Sequence, residues 1–173
     1  MARWSETTPN FSLRMTALAA ALLRPQLREL PRRAARWSVI HDRIAAGIAR
    51  SPHARLPRRD PRARQVPTSV QFSVTGLDAC GIRAFVAGAQ ARGLSIKWFG
   101  GERPVGFTSA PRHWRYRSDQ APLDRTHAVL STLCDIRTPV SMTDDECDLV
   151  AAIVRESLDT VMGTRQPERL GMD

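Results

Sequence analysis

Lysine is almost missing from this chain: of twenty-six basic residues in 173, one is Lys and the rest are Arg. That one lysine, Lys97, limits any chemistry that needs a side-chain amine to a single position. Cysteine is nearly as scarce. Cys80, Cys134 and Cys147 form no C-x-x-C pair, and an odd number of thiols argues against a disulfide framework. The four histidines, His41, His53, His113 and His127, show neither H-E-x-x-H nor Cys/His ligand spacing, so no zinc site is expected. Long apolar runs are also lacking. The longest, Ala17–Leu23, has seven residues where a bilayer crossing takes about 20. Arg24-Pro25 ends that run where a secretion signal would need small residues, so the expected setting is reduced and cytoplasmic.

What remains is a chain with 42% apolar and 25% charged residues, enough to bury a core. Its charge is lopsided. Residues 1–65 hold fourteen Arg and four acids, net +10; residues 66–173 hold twelve basic groups and thirteen acids, net −1. The densest basic stretch, Pro57–Arg64, is broken by prolines and carries no aromatic on which a base could stack. The Arg preference runs through the whole chain, so the basic stretch reads as a solvated connector more readily than as a nucleic-acid site.

The periodicity predicts an α+β layer, with helices packed on a small sheet. Residues 1–13 read as an exposed entry segment, 14–51 as linking helices, 52–65 as the basic connector, 66–162 as a small α+β domain and 163–173 as a frayed tail. Within the first helical region, Pro25 predicts a kink or break near Leu23–Arg24, and Pro31 suits the first turn of a second helix. On that second helix Trp37, Ile40, Ile44 and Ile48 form one stripe, with His41 on the same face as a packed histidine. A strand follows at 66–74, then a helix at about 78–92 ending at Gly93, and a second strand at 94–99. A short helix is expected at 122–133 and an extended segment at 135–140. Thr143 and Glu146 form a capping box that opens the last helix, which Gly163 can stop.

Between Phe99 and Gln120 some twenty-two residues carry no period, and loops that long are commonly functional. The segment includes Arg103 and the cluster Arg112-His113-Trp114-Arg115-Tyr116-Arg117. Guanidiniums can clamp phosphate or carboxylate and rings offer stacking faces, so Arg103, Arg112, His113, Trp114 and Arg115 are candidate contacts for an anionic substrate.

Three stretches together carry a resemblance. Phe11-Ser12-Leu13-Arg14-Met15-Thr16-Ala17-Leu18-Ala19-Ala20-Ala21, followed by Gln26-Leu27, resembles the N-x-R-M-x-x-x-x-A-A…Q-L helix of the DegT/DnrJ/StrS family of PLP-dependent aminotransferases. Ile96–Gly101 resembles that family's later small-domain strand and turn. Leu133–Val140 with Met142–Asp145 resembles its closing strand and helix. The likeness spans about residues 9–162.

The resemblance implies the small C-terminal domain of a fold-type-I enzyme that moves an amino group onto a keto-sugar or similar substrate, with PLP as cofactor. It implies a homodimer, or a second chain that supplies the large PLP domain. It also implies that Ser12, at the family's Asn position, and Arg14 approach the cofactor phosphate of the partner subunit. The family's Schiff-base lysine lies upstream of this region, and Lys97 falls on a small-domain strand. No catalytic residue is therefore expected here, PLP is not expected to bind covalently to this chain, and the portion is expected to be inactive alone. Two other readings fit the composition: a stand-alone protein-interaction module built on the Arg14–Leu30 helix, or a basic nucleic-acid binder using Arg55–Arg64.

Overall fold

The computed structural model describes residues 15–63, 65–103 and 122–165. Helix α1 spans Ala17–Ile48, with the Thr16 hydroxyl accepting from the Ala19 N–H at its start. Strand β1 is Ala54–Arg55 and β2 is Ser69–Val74; helix α2 is Ala79–Ala91 and strand β3 is Lys97–Trp98. Helix α3 is Asp124–Thr132, strand β4 is Leu133–Arg137 and helix α4 is Asp144–Arg165. The strands form one antiparallel sheet in the order β1-β2-β4-β3.

The expected break in the first helical region does not occur: α1 is continuous through Pro25 and Pro31. Each proline removes one N–H and costs about 3 kcal/mol in an ordinary helix interior. Here residues 21–31 are all exposed, so water can satisfy the carbonyls that the prolines leave unpaired. The Gln26 side chain also donates to the Leu22 carbonyl at 3.2 Å.

The second half of α1 supplies the core. Ile40, Ile44 and Ile48 are fully buried against α4, where Cys147, Val150, Val154 and Leu158 form the facing stripe. Gly47 permits the close crossing, since a Cβ there would stand 2.5 Å from the Ala151 Cβ. Arg43 clamps the outside of the joint, reaching Asp148 at 2.6 and 2.8 Å and Asp144 at 2.9 Å. These carboxylates hold the Arg43 pKa above its ordinary value, and the same clamp lowers that of Asp148.

The sheet contributes Val70, Phe72 and Val74 from β2 and Cys134 and Ile136 from β4 to the same core. Phe72 meets Phe85 of α2 edge to face, with ring centroids 6.3 Å apart. Alternation along β2 is as expected, but the strand starts at Ser69, and Val66 is exposed. Pro67, which has no N–H to give a ladder, lies between them.

Other boundaries shift. Strand β3 has two residues where six were expected, although Leu94 and Ile96 are buried beside it. Strand β4 runs over 133–137 instead of 135–140, and β1 lies inside the segment expected to be connector. Gly93 does terminate α2, at φ +86. Helix α4 begins with the expected capping box: the Thr143 hydroxyl accepts from the Glu146 N–H, and the Glu146 carboxylate accepts from the Thr143 N–H at 2.7 Å. It does not stop at Gly163 but continues to Arg165. Of the thiols, Cys134 and Cys147 are buried and Cys80 is exposed. Burial pushes the Cys134 thiol up to about 12.

Candidate functional site

Two places outside the core carry side chains with chemical potential. The first is the sheet face opposite the helices, where β3 leads into the long aperiodic segment. Register places Gln71 of β2 and Lys97 of β3 on either side of Asp135 of β4. Asp135 is buried, and Arg137 on the same strand stands 3.8 Å from its carboxylate. The Lys97 ammonium lies 5.5 Å from the centre of the Phe99 ring. Its pKa is lowered, first by burial and then by Arg137, with Asp135 opposing the shift. Trp98 pins the start of the segment: its indole N–H donates to the Ser131 carbonyl at 2.8 Å, and the Phe99 N–H donates to the Leu133 carbonyl at 3.0 Å.

Arg103, the first of the expected substrate contacts, is exposed just beyond this anchor. Arg112, His113, Trp114 and Arg115 lie outside the described residues, as do Ser12 and Arg14.

The second place was not foreseen. A cleft of about 580 Å³ lies between α1 and the connector, and His41, Asp42, Arg58 and Arg59 are among its lining residues. His41 is only 8% exposed, as expected for a packed histidine, but it is also hydrogen-bonded at both ring nitrogens. Nδ1 is 3.0 Å from the Asp42 carboxylate, and Nε2 meets the Arg59 guanidinium. A guanidinium can only donate, so Nε2 accepts and Nδ1 carries the proton given to Asp42. Burial, the largest influence on this ring, lowers the His41 pKa and favours the same neutral form. Nothing in the sequence joined His41 to Arg59, eighteen residues away across a turn-rich connector. A polar ring in an apolar stripe was the only hint.

The implied PLP can be tested against the chain's one amine. A covalently held PLP needs a phosphate cradle near the lysine, commonly a helix N-terminus. The starts of three of the four described helices carry side-chain caps, and that of α3 carries none. Asp78 accepts from the Gly81 N–H at the start of α2, Thr143 and Glu146 close α4, and Thr16 caps α1. Asp124 occupies the first turn of α3 with its own negative charge. The described residues thus do not fit a self-contained PLP site on Lys97. Among them no cluster of three or more His, Cys, Asp or Glu is gathered as for a metal, and no helix is long and apolar enough to cross a membrane.

No family model matches the chain, and no curated protein matches it. Solved structures do. Spr1654 of Streptococcus pneumoniae, assigned as a sugar aminotransferase and solved in its PMP form, superposes with a TM-score of 0.71 at 16% identity, over 89% of this chain and 38% of that one. The aminotransferase TlmJ of Streptoalloteichus hindustanus gives 0.68 at 21% identity, over 94% and 42%. A DegT DnrJ EryC1 StrS aminotransferase from Brucella abortus gives 0.63 at 14% identity, over 83% and 36%. The chain spans about 40% of the length of the structures it matches. An α+β layer of four helices on a four-stranded antiparallel sheet, among the described residues, is thus the fold of the C-terminal portion of sugar aminotransferases of this type.

Proposed function

We propose that this chain acts as the C-terminal portion of a PLP-dependent aminotransferase of the DegT/DnrJ/StrS type, which transfers an amino group to a keto-sugar or similar substrate. The observation that carries the reading is the superposition itself, which uses nearly all of this chain and less than half of each match. PLP, where it is bound, supplies the electron sink for such a transfer. The lysine that holds it belongs to a large domain outside these residues, and this portion is inactive without that domain.

In the working assembly, a homodimer or a complex with a chain bearing the large domain, Ser12 and Arg14 approach the cofactor phosphate across the subunit boundary. The segment anchored by Trp98 presents Arg103, Arg112, His113, Trp114 and Arg115 to an anionic part of the substrate. The test is to incubate the purified chain with PLP, reduce with borohydride and weigh the peptide that contains Lys97. No stoichiometric adduct is expected. A stoichiometric one would overturn the claim that the portion is inactive alone.

A second reading, a stand-alone interaction module, is favoured by one observation. Leu18, Leu22, Leu23, Leu27 and Leu30 are all exposed on the first half of α1, and Met15 is exposed just before it. Light scattering separates the two states of this surface. A clean monomer that binds no surface-sensing dye would count against the module.

A further inference from the structure

The cleft beside α1 shares Gln71 with the sheet face that leads to the proposed substrate segment, but its charged groups come from α1 and the connector, and it has the makings of a site of its own. Its apolar wall includes Ala45, Leu56 and Pro67; Thr68, Ser69 and Gln71 add hydroxyl and amide groups. Its volume is within the roughly 300–1,000 Å³ range of small-ligand pockets.

The charges in it are unevenly satisfied. Asp42, its one carboxylate, already accepts from His41 and lies 3.9 Å from Arg59. Arg58 has no hydrogen-bond or ion-pair partner among the described residues. Arg59 is held in place from behind, its guanidinium tethered to the buried His41 ring, which Asp42 orients in turn. A fixed guanidinium beside an unengaged one suits an oxyanion, because charge-assisted hydrogen bonds from Arg are strong and directional. Burying an imidazole in an otherwise apolar stripe is costly unless its nitrogens are satisfied, and here satisfying one of them positions Arg59.

We propose that this cleft binds a small molecule bearing a phosphate or carboxylate group, with the anionic head on Arg58 and Arg59, the body along the apolar wall, and His41 as the residue that positions Arg59. The inference does not depend on the aminotransferase reading, and its test needs no PLP.

The test is titration calorimetry on the purified chain with inorganic phosphate and, separately, acetate, at an ionic strength held constant with chloride. Saturable one-to-one binding of at least one anion is expected. Phosphate alone points to a phosphate ester as the natural ligand, and both anions point to a carboxylate as an equal candidate. Arg58→Gln is expected to weaken binding at least tenfold with an unchanged melting temperature, because Arg58 supports nothing else. Arg59→Gln is expected to weaken it similarly. Arg28→Gln, thirteen residues or about 20 Å up the helix from His41, is expected to bind as the parent does. Absence of saturable binding, parent-like binding by Arg58→Gln, or equal loss in Arg28→Gln would overturn the proposal. Because Arg58 is exposed, its replacement leaves the fold intact and the result readable.

Discussion

The two halves of helix α1 differ sharply in their surroundings. From Ile40 to Ile48 the apolar side chains are sealed under α4; from Leu18 to Leu30 comparable leucines are in solvent, Leu18 at 70% and Leu27 at 63% exposed. The spacing is continuous: Leu23, Leu27, Leu30, Ala34, Trp37, His41, Ile44 and Ile48 follow one another at alternating steps of four and three. Local pattern is therefore the same in both halves, and tertiary context alone separates core from surface. A stripe of this kind states that a helix has something to bury without stating whether the cover lies within the same residues.

The strongest way to break the comparison is truncation on both sides of the boundary. Ile44→Ala should cost about 2–5 kcal/mol, the usual range for emptying a filled core position. Leu27→Ala should stay within about 0.5 kcal/mol in the isolated chain. Urea unfolding followed by circular dichroism measures both, and equal losses would mean that the first half is covered too.

The crossing point comes next. Gly47→Val would drive a side chain into Ala151 and should cost about 1–3 kcal/mol by overpacking, visible as a lower unfolding midpoint. The same change at Gly88, which has open space around it, should not lower the midpoint, because Val is a better helix former than Gly.

The capping residues give a smaller contrast. Thr143→Ala removes the hydroxyl that closes α4 in the core and should cost about 1 kcal/mol. Thr16→Ala should fray only the first turn of α1, with no change in global unfolding. Hydrogen exchange at the two helix starts would distinguish them.

The smallest effect is pH-dependent. Burial lowers the His41 pKa, so the unfolded state binds its proton more readily than the folded one. That contribution to stability is fully present above about 6.5, the unfolded value, and is lost as pH falls from there through the lower folded value. Protonation also turns Nε2 into a donor and releases Arg59. The His41 ring signals followed by NMR should titrate below 6.5, and Arg59→Gln should alter that midpoint.

How far the fold could be read in advance depended on where the determining forces lie. The start of α4 was legible because Thr143, Glu146 and the apolar stripe are all local. The continuity of α1 was not, because the penalty of Pro25 and Pro31 depends on whether solvent reaches the carbonyls behind them. Strand β1 has two residues, too few to show alternation, and exists because Ala54 and Arg55 pair with Val74 and Ser73, some twenty residues on. The polar row on the sheet follows from register, which brings Gln71, Asp135 and Lys97 together from three strands. The substrate candidates 112–115 lie outside the described residues. The cleft was illegible for a different reason: Arg58 and Arg59 look like any solvated pair until the connector folds back onto His41.

The sheet order has a consequence for how this domain can meet another protein. Its two margins are the two-residue strands β1 and β3, which pair with Ser73 and Val74 of β2 and with Cys134 and Asp135 of β4. A would-be neighbour finds in either margin strand a backbone ledge of only two residues along which to zip on a ribbon of its own. Margins that short are one of the devices by which small sheets resist edge-to-edge stacking.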